Sequence, residues 1–170
     1  MNRPEKIEYA PYYETYVSLV GDGDIVEILD SQAAEVMQMF LAIPEEKGDY
    51  SYAEGKWAVK ELLGHLIDGE RMFMYRIFRI SRGDRTPIEG FEQDDYIANA
   101  RSNSRTFADL IEEFTALRGA NVTAYRHFSD EDWRRTGIAN NSEISARALA
   151  YIMAGHVTHH LNILKERYLV

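Results

Sequence analysis

The sequence predicts an all-α protein, a four-helix bundle with a long crossover connection between the second and third helices. Three observations predict it. Apolar residues recur at helical spacing through four long segments. No apolar–polar alternation runs longer than a few residues, so no sheet is expected to organise the chain. One stretch without a clear period, residues 82–104, joins two of the helical segments. It is too long for a tight turn, and a connection of that length is a crossover or a functional loop.

The elements follow in order. A short amphipathic helix is predicted over Tyr12–Val20, separated by the turn-forming residues 21–24 from the first long helix. That helix runs from Asp24 to Ile43 with Ile25, Ile28, Leu29, Val36, Met39 and Phe40 as its apolar positions, and Pro44 ends it. Residues 49–56 are turn-rich. The second long helix covers Lys56–Ser81 and is closed by Gly83 and Pro87. The third starts at Thr106, with Asp109 three residues on as in a capping box, and continues through Leu110, Phe114, Leu117 and Tyr125 to Phe128. Ser129 caps a short helix carrying Trp133. Residues 136–145 read as a loop, with a short hairpin over 133–145 as the alternative. Ser145 caps the last helix, which ends near Tyr168.

The 170 residues are read as one domain, residues 1–170, large enough to bury a core without disulfides or structural metal. There is no cysteine, which excludes disulfides, thiolate metal sites, Fe–S clusters and a Cys nucleophile. The first ten residues hold no apolar run, so no signal peptide is expected, and no stretch approaches the length of a membrane span. A cytoplasmic protein is expected. The net charge of -9 repels polyanions, so a nucleic-acid partner is not expected without a concentrated basic patch. The nearest candidate is Arg71–Arg85, with Arg71, Arg76, Arg79 and Arg82 spread around a helix. It reads as a solvated face, as a contact for an anionic small molecule, or as a nucleic-acid contact.

Three of the five histidines fall in AGHVTHHLNI, residues 154–163. At about 100° per residue, His160 lies within roughly 40° of His156, together with Leu149, Ile152 and Ile163. Both imidazoles therefore sit in the stripe that faces the core. His159 falls near its edge, at about 60°, and Thr158 and Leu161 point elsewhere. Residues four apart on a helix can converge on one ion, which would satisfy nitrogens that burial otherwise leaves unpaired. His65 lies on an apolar face of the second long helix beside Gly64, whose missing side chain leaves room for another helix or a ligand. Three histidines with an open position are the ligand set of a catalytic metal. Glu61, Asp68 and Glu70 lie near His65 in sequence. One of them could orient an imidazole or act as base, although pairing with surface arginines is the simpler expectation. His127 closes the third helix. An HExxH site is excluded by Val157, and neither helix carries the ExxH of a di-iron bundle.

The segments GKWAVKELLGHLIDGERMFMYRIFRISRGD (55–84) and ALAYIMAGHVTHHLNILKERY (148–168) resemble the two signature helices of the DinB-like superfamily. The closer resemblance is to its YfiT-like branch of small metal-dependent hydrolases. GFEQDDY (90–96) and FADLIEEFTALR (107–118) extend the likeness. The resemblance implies a four-helix bundle with a long link between helices two and three. It also implies a divalent metal, zinc or nickel, held by His65, His156 and His160, and a homodimer. Relatives include bacillithiol S-transferases and mycothiol-dependent maleylpyruvate isomerases. The latter use Glu where this chain has His156, so the likeness to that branch is weaker.

These readings point to an enzyme acting on a small-molecule substrate. The metal would activate water for hydrolysis or a low-molecular-weight thiol for S-transfer. Phe91, Asp94, Asp95 and Tyr96 of the link line its mouth, or else form a solvated loop. His159, Glu61 and Asp68 are the candidates to orient a ligand or carry a proton. The alternatives are a metal-stabilised binding module without turnover, and a plain bundle with hydrogen-bonded core histidines.

Overall fold

A computed structural model describes residues 2–169. The N-terminal segment forms a turn of 3-10 helix over Pro11–Tyr13 and a single helical turn, α1 (Glu14–Val17), in place of one longer helix. Asp24 accepts a hydrogen bond from the Val26 N–H and starts α2 (Ile25–Leu41). Helix α3 (Val59–Ser81) begins three residues later than its periodicity predicts, because Glu61 folds back onto the Ala58 N–H and fixes the first turn there.

The crossover is more ordered than its sequence suggests. It contains α4 (Gln93–Ala100), ended by Arg101 in the left-handed conformation at φ 55°. Only Ile97 of α4 is buried, so this helix has no apolar stripe to read. Ile88 is held on the far side by hydrogen bonds to the backbone of Ile138 and Asn140.

Thr106 caps α5 (Phe107–Tyr125), and Ser129 caps α6 (Asp130–Arg134). Residues 136–145 form the hairpin: β1 (Thr136–Ala139) pairs antiparallel with β2 (Ser142–Ser145). Its two-residue turn, Asn140-Asn141, has positive φ at both positions, as a primed hairpin turn requires. Ser145 then caps α7 (Ala146–Ile163), which continues as a wider π-helical turn over Leu164–Tyr168.

Helices α2, α3, α5 and α7 form the bundle. Both α2 and α3 pack against α5 and α7, while α1 lies on α7 and α4 on α3. Covered from several sides, α7 buries almost its whole circumference. Leu161, which its helical angle placed away from the core, is 1% exposed and packs with Leu62, Leu66 and Phe114. None of the helices is long and apolar enough to cross a membrane among the described residues.

The core has two apolar clusters with a polar layer between them. One contains Leu29, Ile77, Val122, Trp133 and Ile152; the other contains Val36, Leu66, Phe114 and Leu161. The polar layer joins all four bundle helices. Arg118 of α5 donates from Nε and Nη2 to Glu70 of α3 (2.9 and 2.5 Å) and from Nη1 to Gln32 and the Leu29 carbonyl of α2. Gln32 donates to the Ala154 carbonyl and Thr158 of α7, and Asn121 donates to Glu70. Glu70 was expected to pair with a surface arginine. Its partner is instead buried and on another helix, because a fully desolvated carboxylate requires a charged donor.

Candidate metal centre

Helix α3 supplies His65, and α7 supplies His156 and His160. The side chains are buried, at 4%, 8% and 8% exposure. Their Nε2 atoms point at one another: His65 to His156 at 2.8 Å and His160 to His156 at 3.1 Å. One ligand atom from each ring falls within 4.8 Å of the other two. Donors held by one tetrahedral zinc at about 2.0–2.1 Å would stand roughly 3.3–3.4 Å apart. The two separations to His156 lie about half an ångström or less below that spacing.

The protonation state suits the same purpose. Burial pushes His65 down to about 4, partly opposed by the Asp94 carboxylate. It pushes His160 down to about 3, helped by His65 and His159. His156 falls well below its ordinary value through burial and its neighbouring rings. All three are neutral near pH 7, the form that ligates.

Small residues allow this convergence. At Gly69 a Cβ would stand 3.3 Å from Cε1 of His156. At Gly155 a Cβ would meet the Tyr16 carbonyl oxygen at 2.0 Å, so only glycine lets α1 lie against α7. The space beside Gly64 is taken by Ser102 of the crossover. Aromatic rings surround the cluster. Trp57 is 4.7 Å from His65 and stacks over His160 at 6.0 Å, while Tyr16 and Phe73 stand edge-on to His156 at 5.7 and 5.6 Å.

The other candidates are placed apart from the convergence point. His159 packs edge-on against Tyr16 and His160. Glu61 is engaged by the Ala58 N–H and Asn103. Asp68 is half-buried, its carboxyl pKa raised by burial, with Arg71 and Glu113 as the charges acting on it. His127 is exposed.

Two cavities of about 310 Å³ each flank the histidines. The first is lined by His65 and His156 with Tyr13, Tyr16, Phe73 and Arg76, and Phe91 of the crossover borders it. The second is lined by His160 with Tyr52, Trp57, Asp94 and Tyr168. Asp94 also accepts a hydrogen bond from the Trp57 indole at 3.2 Å. Asp95 and Tyr96 face an outer groove instead, with Tyr96 against Phe91. Sequence reasoning missed Trp57, Phe73 and the N-terminal tyrosines. Their roles depend on contacts between distant segments, and only the clustering of Tyr12, Tyr13 and Tyr16 gave a signal.

A DinB superfamily model matches residues 28–164. The chain belongs to the DinB superfamily. Among solved structures, this DinB protein is similar to YfiT from Bacillus subtilis, described as "a probable metal-dependent hydrolase with an unusual four-helix bundle topology". The two are 14% identical with a TM-score of 0.78, over 92% of this chain and 97% of that one. It is also similar to the mycothiol-dependent maleylpyruvate isomerase, 14% identical with a TM-score of 0.66, over 81% of this chain and 58% of that one. No curated protein sequence matches it.

Proposed function

We propose that this DinB protein is a metal-dependent enzyme acting on small molecules, with His65, His156 and His160 as the ligands of one divalent ion, zinc or nickel. The observation that carries this reading is the convergence of three buried, neutral imidazoles with a cavity on either side. A divalent ion supplies Lewis acidity that lowers the pKa of a water or thiol reaching it.

The chain's own residues do the rest. Trp57 and Phe73 exclude bulk water from the rings. Asp94, whose charge already acts on His65, is placed in the second cavity to accept a proton. Two separate cavities suit a two-substrate reaction, in which a low-molecular-weight thiol gives its proton to Asp94 and its sulfur bonds to an electrophilic carbon as that carbon's leaving group departs with its bonding electron pair. The mycothiol-dependent neighbour supports that reading. Hydrolysis is the second reading, favoured by the close likeness to YfiT over nearly both whole chains. The cytoplasmic location expected from the sequence and the homodimer implied by the family belong to the same proposal, and light scattering checks the dimer.

The test is metal analysis of protein purified without an affinity tag. About one ion per chain is expected in the wild type, lost in His65→Ala and His156→Ala. A substoichiometric content that His156→Ala leaves unchanged overturns the site. Ester hydrolysis and thiol conjugation are then assayed with metal restored. Activity depending on both metal and His160 supports an enzyme; its absence from both assays overturns it.

A further inference from the structure

Arg76 of α3 is 6% exposed, and its Nε–H is buried without an acceptor. Among the described residues its one hydrogen bond is long, from Nη2 to the Glu89 carbonyl at 3.3 Å. Phe91 lies 5.8 Å from the guanidinium. Burial lowers its pKa from the ordinary value. No carboxylate forms an ion pair with it among the described residues. A desolvated guanidinium without a counter-ion is strongly unfavourable. This one lines the cavity that also reaches His65 and His156.

Arginine side chains on a helix lean toward its N-terminus, which directs Arg76 along α3 toward the His65 end. A guanidinium presents a planar fork that matches a carboxylate through two parallel hydrogen bonds. Among the described residues no second cationic side chain lines this cavity, and Glu92 does, so in the metal-free protein a singly charged carboxylate matches the side-chain charge there better than a dianion such as a phosphate monoester.

We propose that Arg76 is the carboxylate-binding residue of the first cavity. It holds the carboxylate of a small, singly anionic substrate, whose apolar body lies against Tyr16, Phe73 and Phe91 and whose reacting end meets His65 and His156. This deepens the proposed function, on which it rests for the identity of the reacting end.

The test uses chelated, metal-free protein, so that a carboxylate cannot bind through a metal. Calorimetry compares 4-phenylbutyrate, its uncharged amide and phenyl phosphate on the wild type, Arg76→Met and Arg76→Lys. The wild type is expected to bind the carboxylate at least tenfold more tightly than the amide, and no more weakly than phenyl phosphate. Arg76→Met should abolish that preference, and Arg76→Lys should weaken it several-fold by losing the fork. Equal binding of carboxylate and amide by the wild type, or a preference that persists in Arg76→Met, overturns the proposal. So does tenfold tighter binding of phenyl phosphate. Should Arg76→Met fail to fold, Arg76→Lys decides alone: wild-type preference in it overturns the assignment. A parallel cobalt titration of wild type and His156→Ala tests the metal site separately.

Discussion

Arg118 and Arg76 are both buried arginines on bundle helices, yet their surroundings are opposite. Arg118 is fully buried, and every nitrogen of its guanidinium donates to an acceptor, two of them to one carboxylate. Arg76 is nearly as buried and, among the described residues, has one long hydrogen bond and no carboxylate partner. The difference teaches how to read a buried charge. One whose partners come from the chain itself holds helices together, and one without partners beside a cavity has its counter-ion supplied from outside.

The largest expected effect comes from breaking the satisfied case. Glu70→Leu leaves Arg118 buried without its carboxylate and is expected to cost about 3–5 kcal/mol. That corresponds to a fall of roughly 6–20 °C in the unfolding midpoint. Urea denaturation of the variant against wild type measures it.

The next effect tests the histidines, which are desolvated but neutral. Removing metal with a chelator is expected to lower wild-type stability by about 2.7 kcal/mol at a free metal concentration a hundredfold above Kd. The same treatment should leave His156→Ala unchanged in a thermal scan. In metal-free protein the rings themselves become pH-sensitive. The unfolded chain takes up protons near 6.5, whereas folded His65 and His160 resist until about 4 and about 3. Stability from these groups is therefore complete above 6.5 and is lost as pH falls toward 4 and then 3. At pH 5 the loss is about 2 kcal/mol per ring. Urea midpoints at pH 8, 6 and 5 check this, and a flat profile contradicts it.

Gly155→Ala separates the two arginine environments. The new Cβ would collide with the Tyr16 backbone, not a flexible side-chain end, so α1 must shift at about 1–3 kcal/mol. Tyr16 lines the Arg76 cavity and takes no part in the Arg118 network, so carboxylate binding should weaken in calorimetry. The smallest effect is on stability in Arg76→Met. Replacing an unpaired buried charge with an apolar side chain is expected to shift stability by less than about 1 kcal/mol or to raise it.

The parts of the fold legible in the sequence are those that bury one stripe. Helices α2, α3, α5 and α7 announce themselves through apolar spacing, and Thr106, Ser129 and Ser145 mark where α5, α6 and α7 begin. Helix α4 was illegible because one buried isoleucine makes no pattern. Leu161 was misplaced because a one-stripe description fails for a helix covered on several sides. For the candidate site, the spacing of His156 and His160 and the apolar setting of His65 placed all three inward, and the structure brings them together. Glu70, like Leu161, is buried where its own helix reads it as outward-facing. A charged residue on a single helix reads as solvated, and only the packing of α5 against α3 reveals its buried partner.

The polar layer also acts as an axial key. A bundle held only by greasy contacts can slide by one turn, about 5.4 Å, and find another acceptable arrangement. Here such a slip would pull Arg118 from Glu70 and Gln32 from Ala154, leaving buried groups stranded. Helices α3 and α7 are both locked by this layer, and they carry His65 on one side and His156 and His160 on the other. The imidazoles are thus aligned by an architecture that does not include them. An incoming ligand meets a seat whose ordering was completed during folding.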